Sequence, residues 1–214
     1  MPVAAPQMRE KLAKSAFQLF AKRGIKNVTL DEVAAHAGVT KGSLYWHYRS
    51  KKEVILAACD HYYRLWHKQA QAAIALDDDP RGRFERVVRF SVQSCLFDRS
   101  NRVFTSEVLA LSLQDRDFLA VRADFYDSVC DCYARVLRAA CESGHLQAAD
   151  PRTAVEWMVA AIDGIKQRAT FDPAICTPEH CDRVVESLMR IVVVASGAPS
   201  NKPNRNAQAA MPDL

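Results

Sequence analysis

Two very short helices joined by a glycine turn are the feature that most constrains how this chain folds. The motif "TLDE", which begins at Thr29, has the form of a capping box: the threonine accepts from the amide of Glu32, whose side chain reaches back. Two turns later "AGVT" interrupts the helix, and Gly38 suits the left-handed backbone of a tight turn. A further helix begins near Lys41 and ends before Ser50. This spacing predicts a helix-turn-helix.

Longer helices flank this unit on both sides. A 3.6-residue apolar stripe predicts a helix over residues 7–23, which Gly24 ends. "SKKE", which begins at Ser50, predicts a second capping box and opens a helix that reaches about Ile74. The small core of the unit is predicted to consist of Val33, Ala34, Ala37, Val39, Leu44 and Tyr48.

The third helix has an outward face of unusual composition. On a helical wheel Leu44 and Tyr48 point inward, so the outward set is Gly42, Tyr45, Trp46 and Arg49, with Lys41 and His47 at its flanks. Glycine allows close approach to a groove, cations neutralise phosphates, and the aromatic polar groups donate hydrogen bonds. Packing against a neighbouring domain would explain the aromatic residues but not the cations, so DNA binding is favoured.

The positive charge of the chain is concentrated in the same region. Ten Lys and Arg residues stand against four Asp and Glu up to Glu53, a net charge of +6, whereas the remainder has a net charge of −2. A polyanion is therefore predicted to bind the N-terminal unit alone. A merely solvated basic surface is the alternative.

The segments "LAKSAFQLFAKRG" and "VTLDEVAAHAGVTKGSLYWHYRSKKEVI" resemble the tetracycline-repressor (TetR) family of bacterial transcription regulators. Ser15 and Tyr48 are mild departures from the family pattern, and the Tyr48 hydroxyl needs a partner. The resemblance implies that Thr29 and Lys51 hold phosphates of a double-stranded DNA operator. It also implies an operator-facing set of Thr40, Lys41, Gly42, Tyr45, Trp46 and His47.

The expected fold is all-α, with about nine helices in total. Residues 1–52 form the three-helix DNA-binding domain, residues 53–196 form a larger helical domain for effector binding and dimerisation, and residues 197–214 are predicted to be disordered. By resemblance, the larger domain encloses an apolar cavity for a small apolar or aromatic effector. Candidates for its walls are Tyr62, Tyr63, Trp66, Phe90, Glu107 and Phe125, each of which could also be ordinary core.

Two C-terminal apolar stripes are candidates for a homodimer interface. The resemblance implies that two helices pair with their symmetry mates in a four-helix bundle, through Trp157, Ala161, Ile165, Val185, Leu188 and Val192. Without the resemblance, a monomeric core explains the stripes equally well. The implied function is that of a repressor released from a near-palindromic operator by its effector.

Seven cysteines suggest an alternative function, a thiol-based redox sensor. Their odd number and the absence of an export signal argue against structural disulfides. Cys181, beside His180 near a helix start, is the best candidate for a reactive thiolate. The cysteine and histidine spacings match no zinc pattern, so no metal is predicted.

No other chemistry is indicated. The sequence has no glycine-rich phosphate loop and no nucleophile elbow, so neither an enzyme nor a cofactor is predicted. No apolar run approaches the roughly 20 residues of a membrane span, and the expected location is the cytoplasm. The effector and the operator sequence are not identified by these patterns.

Overall fold

The structure is a computed structural model that describes residues 5–76 and 78–194, with side chains through Ile191. These residues form nine α-helices, one 3₁₀ turn and no strand, as the all-α prediction requires. The predicted tail over residues 197–214 and the side chain of Val192 lie outside the described part. The helices are α1 Ala5–Arg23, α2 Leu30–His36, α3 Lys41–His47, α4 Lys51–Ile74, α5 Pro80–Phe97, α6 Arg99–Ser112, α7 Arg116–Glu142, α8 Pro151–Phe171 and α9 Pro178–Val194.

Side-chain caps fix where the helices of the N-terminal unit begin. Thr29 and Glu32 form the predicted reciprocal capping box at α2. The prediction at α4 is only half right. Ser50 accepts from the amide of Glu53 at 3.2 Å, but the Glu53 carboxylate accepts from the amide of Arg49 at 2.8 Å. The cap therefore also fixes the residue that joins α3 to α4.

The first of two hydrophobic cores holds α1, α2 and α3 together. Leu44 and Tyr48 are fully buried, as the wheel predicts, and Val39 is half-buried at the edge. This core also takes in the first half of α4, together with Phe104 of α6 and Phe118 of α7. The three-helix unit is therefore not separately packed, and the predicted boundary at residue 52 stays a prediction.

The second core lies inside the larger domain, where α5 packs against α4, α7, α8 and α9. The Tyr133 hydroxyl, buried on α7, donates to the carbonyl of Val87 at 3.1 Å and contacts the Ser91 hydroxyl, which ties α7 to α5. Trp66 of α4 belongs to this core, whereas Tyr62, one turn earlier, belongs to the first. One uninterrupted helix thus spans both cores. Within the described residues, no helix is long and apolar enough to cross a membrane.

Candidate functional site

The outward face of α3 is open to solvent. Tyr45 is 45% exposed and Trp46 is 75% exposed, the latter an unusual state for a tryptophan. Thr40, Lys41 and Gly42 are exposed beside them, while His47 is half-buried. The structure therefore brings the predicted recognition residues to one surface.

Lys41 is held by an ion pair on that surface. Its Nζ lies 2.9 Å from Oδ2 of Asp31 on α2, and its charge lies 5.9 Å from the Tyr45 ring centroid. The hydrogen bond to Asp31 raises the pKa of Lys41. Because both side chains are more than half exposed, the pair contributes little to folding. A phosphate could replace Asp31 as the partner of the ammonium group.

Thr29 is a predicted phosphate ligand, but its hydroxyl is already hydrogen-bonded within the cap of α2. The hydroxyl donates to Oε2 of Glu32 at 2.9 Å and accepts from the amide of Glu32 at 3.2 Å. The amide of Thr29 also donates to this carboxylate, and together with Arg23 these bonds lower the pKa of Glu32 to about 2. Lys51, the other predicted phosphate ligand, is half-buried at the start of α4.

Arg9, which the sequence shows only as part of the positive charge of this region, has a structural role. Its guanidinium donates to the carbonyl of His47 at 2.7 Å and lies 4.5 Å from the centroid of the Tyr48 ring. In return the Tyr48 hydroxyl donates to the carbonyl of Arg9 at 3.1 Å, which supplies the partner that this hydroxyl needs. Arg9 thus ties the start of α1 to the end of α3.

A cavity of about 90 Å³ lies in the larger domain between α4, α5, α6, α7 and α8. Four of the six predicted wall residues line it: Tyr62, Tyr63, Trp66 and Phe125. The rings of Tyr63 and Phe125 are stacked, with centroids 3.9 Å apart, and Trp66 meets Phe125 edge to face. Burial raises the pKa of both tyrosines, so their hydroxyls stay protonated and can donate hydrogen bonds.

The other two predicted wall residues, Phe90 and Glu107, do not line the cavity. Phe90 packs on the outer side of Trp66, with ring centroids 6.0 Å apart. Glu107 points from α6 toward the end of α1, where it contacts the loop after Arg23. Both side chains lie on cavity helices, but on faces turned away from the cavity.

The charged part of the lining was not predicted. It comprises Arg102 on α6, Arg122 on α7, and Asp163 and Lys166 on α8. Asp163 and Lys166, spaced i and i+3 beside the apolar Ile162 and Ile165 of α8, are a signal that could have pointed to it, since charged residues seldom lie on a buried face without partners.

The predicted dimer residues divide into two groups. Trp157 is 69% exposed on α8, and Ala161 and Ile165 are half-buried. Val185 and Leu188, by contrast, are almost fully buried in this chain's own core. Their periodic stripe is the inner face of α9. Ile191 on α9 is exposed, and Phe171 at the end of α8 is 78% exposed.

The environment of six of the seven cysteines disfavours a redox sensor, because burial raises the pKa of their thiols. Burial raises the pKa of Cys59 and of Cys95 to about 12 and that of Cys130 to about 11. Burial also raises the pKa of Cys181, the best candidate from the sequence. These shifts suppress the reactive thiolate. Among the described residues, no three His, Cys, Asp or Glu side chains are grouped to hold a metal ion.

Comparison with known proteins agrees with both halves of this architecture. Residues 12–58 match the family described as "Bacterial regulatory proteins, tetR family", and residues 80–192 match "BetI-type transcriptional repressor, C-terminal". The HTH-type transcriptional regulator TtgR of Pseudomonas putida is 29% identical over 171 residues, which cover 77% of this chain and 80% of TtgR. The chain belongs to the TetR family and is a DNA-binding transcriptional regulator.

Solved structures share the fold over nearly the whole described chain. A transcriptional regulator from Saccharomonospora viridis, solved with choline, has a TM-score of 0.73 at 21% identity, covering 87% of this chain and 96% of that one. RolR, solved with resorcinol, has a TM-score of 0.61 at 20% identity, covering 89% and 90%. At these identities the likeness establishes the fold alone.

Proposed function

We propose that this regulator is a homodimeric repressor, which binds a near-palindromic operator through two copies of α3 and leaves it when a small molecule enters the cavity. The continuity of α4 is the observation that carries the proposal. This helix starts at Lys51, after a three-residue link from the end of α3, and places Trp66 in the cavity wall. At 1.5 Å per residue, the two points are about 22 Å apart along one rigid element.

A contact between the starts of α4 and α7 also supports coupling between the cavity and the DNA-binding unit. The Nζ of Lys52 lies 2.6 Å from Oδ2 of Asp115 and 2.7 Å from Oδ2 of Asp117, at the start of α7. Asp115 caps α7, and farther along the same helix Phe125 lines the cavity. A ligand that displaces α7 would therefore also act on the start of α4 and on α3 next to it.

The DNA contacts are proposed from exposure and charge. Lys41, Tyr45 and Trp46 form the centre of the surface that would enter the major groove, with Thr40, Gly42 and His47 around them. Thr29 and Lys51, at the starts of α2 and α4, would contact phosphates on either side. Because its target is an operator, we place the protein in the bacterial cytoplasm.

The outer faces of α8 and α9 are the proposed dimer interface. Trp157, about two turns into α8, and Phe171, its last residue, are large apolar side chains that are exposed. Between them Ala160 and Gly164 are exposed and small, which would let a second helix approach closely, and Ile191 extends the patch onto α9. A dimer would cover this patch and supply the second recognition helix that a near-palindrome requires.

Selection of DNA from a random library by the purified protein tests the proposal. We expect a near-palindromic site whose half-sites are separated by one helical turn or a multiple of it. The selected site is then used to screen small molecules for release of the protein. Failure to enrich any site would contradict the repressor assignment, and an asymmetric single site would contradict the dimer.

The dimer interface has a separate test. Trp157→Glu should convert the dimer to a monomer in sedimentation velocity, because a charge cannot be buried there without a partner. Leu76→Glu is the matched control, since Leu76 is also an exposed apolar residue, 71% exposed, but lies at the end of α4. A Trp157→Glu protein that still sediments as a dimer would show that the interface lies elsewhere.

A further inference from the structure

We infer that the cavity selects an amphipathic monoanion: an apolar, preferably aromatic body that carries one carboxylate or an equally acidic group. This inference rests on the proposed function and specifies the ligand class of the same cavity. It comes from the unequal charges of the lining, where three cationic side chains accompany one carboxylate.

The ion pairs among the charged lining residues Arg122, Asp163 and Lys166 leave an excess of positive charge. The Nζ of Lys166 lies 2.6 Å from Oδ1 of Asp163, and the guanidinium of Arg122 is 3.8 Å from Oδ2 of the same carboxylate. A single negative charge is thus shared by two cations. Arg102 donates to the carbonyls of Cys95 at 2.9 Å and Leu96 at 2.7 Å, which carry no formal charge.

Burial makes this excess charge significant. The Lys166 side chain is only 13% exposed, and Arg122 and Asp163 are 25% and 31% exposed. A cation removed from water without a full counter-charge loses hydration that a neutral carbonyl only partly replaces. An anion beside Lys166 and Arg122 would restore the balance through charge-assisted hydrogen bonds.

The same geometry disfavours a cationic ligand. Asp163 is the one carboxylate in the described lining, and Lys166 already contacts it at hydrogen-bond distance. A ligand ammonium would have to displace Lys166 and would add a further positive charge to the wall. The aromatic rings could hold a cation by themselves, but they are engaged with one another, as in the Tyr63 and Phe125 stack.

The rest of the lining defines the body of the ligand. The cavity is also lined by the rings of Tyr62, Tyr63, Phe104, Trp66, Phe125 and Tyr133. An apolar body would bury its surface against these rings while the acid group reached Lys166 and Arg122. The ligand class follows from the charged and the aromatic residues of the lining together.

Three pairs of probes, each an anion and a neutral compound with the same apolar body, test the inference over a range of sizes: benzoate with benzamide, 2-naphthoate with 2-naphthamide, and 8-anilino-1-naphthalenesulfonate with N-phenyl-1-naphthylamine. Binding to the full-length protein is measured by calorimetry and by tryptophan fluorescence. We expect the anion of at least one pair to bind about tenfold or more tightly than its neutral partner. Lys166→Met should abolish this preference and leave the neutral partner within about threefold.

Matched variants separate the ligand contact from a structural effect. Lys68→Met makes the same chemical change on the exposed surface of α4 and should leave both affinities unchanged. Arg122→Gln, whose contact with Asp163 is longer, should also reduce the preference and serves if Lys166→Met does not fold. Asp163→Asn should strengthen anion binding, because it removes the competing carboxylate.

Two results would overturn the inference while the repressor proposal stands. One is that the neutral probes release operator DNA and bind the protein as tightly as the anions do. The other is tight binding of benzyltrimethylammonium that Asp163→Asn abolishes. If none of the probes bound or released DNA, both the anion site and the effector role of the cavity would be rejected.

Discussion

The side chain of Glu107, on α6, accepts a hydrogen bond from the backbone amide of Ile25, just after α1 has ended. Gly24 lies beneath this contact with φ of +85°, and a Cβ at that position would lie 2.6 Å from Oε1 of Glu107. Since Phe104 and Val108 of the same helix line the cavity, α6 contacts the ligand site and the DNA-binding unit. It is a further connection between them, in addition to α4 and to the contact of Lys52 with the start of α7.

Removing the Glu107 carboxylate should weaken this connection. We expect Glu107→Ala to lower the free energy of unfolding by about 1–3 kcal/mol, because the amide of Ile25 is partly buried and loses its acceptor. Glu107→Gln keeps an acceptor oxygen and should cost less. Urea denaturation gives both values, and a Glu107→Ala protein as stable as the unchanged chain would show that the contact is unimportant.

Two adjacent residues of α3 should respond to substitution in opposite ways. Leu44→Ala empties part of the first core and should destabilise the protein by about 2–5 kcal/mol. Tyr45→Ala, on the exposed face, should leave the melting temperature unchanged and weaken operator binding by about 1–3 kcal/mol. Thermal denaturation and titration with the selected operator distinguish them. Unchanged stability in Leu44→Ala would contradict the orientation of α3.

The ion pair between Lys41 and Asp31 should compete with DNA. Asp31→Asn frees the ammonium, so operator affinity should rise and the slope of log K against log salt should steepen by at most about 0.9 for one added phosphate contact. Asp60→Asn is the control, because Asp60 pairs with Arg64 on α4. This substitution changes the net charge of the protein by the same amount as Asp31→Asn. Equal effects of the two variants would mean that only net charge matters.

The buried thiols should make operator binding insensitive to peroxide and stability sensitive to alkaline pH. Since the pKa of Cys59 and of Cys95 is raised to about 12 from a value of 9.0, the unfolded chain loses these protons first. Their contribution to stability is therefore complete below pH 9 and decreases between pH 9 and 12. Gel shifts with peroxide and urea titrations across this range test both points. Reversible release of DNA by peroxide would restore the redox hypothesis.

Local sequence signals predicted the DNA-binding unit well. The cap at Thr29, the turn at Gly38 and the burial of Leu44 depend on residues close in the chain, and the structure confirms all three. The contact of Arg9 with the end of α3 joins residues 38 positions apart, so no local pattern indicated it.

The cavity and the dimer face depend on how helices are rotated against one another. Phe90 and Glu107 lie on cavity helices but outside the lining, because an aromatic or acidic residue on an amphipathic helix does not show which neighbour it will face. The sequence cannot decide between a partner chain and the chain's own core for Val185 and Leu188, because an apolar stripe looks the same in both cases. The sequence alone does not show that Lys166 faces a cavity, because charged residues on an amphipathic helix are usually solvated.

Trp66 should be required for the response to a ligand but not for DNA binding itself. Trp66 is 7% exposed, and its ring meets Phe125 edge to face with centroids 5.6 Å apart. It therefore joins the lining of the cavity to α4. A ligand that prefers the non-binding state by 100-fold shifts the equilibrium by about 2.7 kcal/mol per site. Without the indole, displacement of the ligand-facing side chains would no longer move the helix that leads to α3.

We therefore expect Trp66→Ala to keep ligand-free operator affinity within about threefold, while the release of DNA by the tightest-binding acid falls about tenfold or more. The substitution should also cost about 3–5 kcal/mol of stability, so binding is measured well below the melting temperature. Phe90→Ala is the matched control, since Phe90 packs on Trp66 from outside the cavity and its loss should affect stability more than response. Full release of Trp66→Ala by that acid would show that the signal reaches α3 by another path, for which the contact between Glu107 and Ile25 is the next to test.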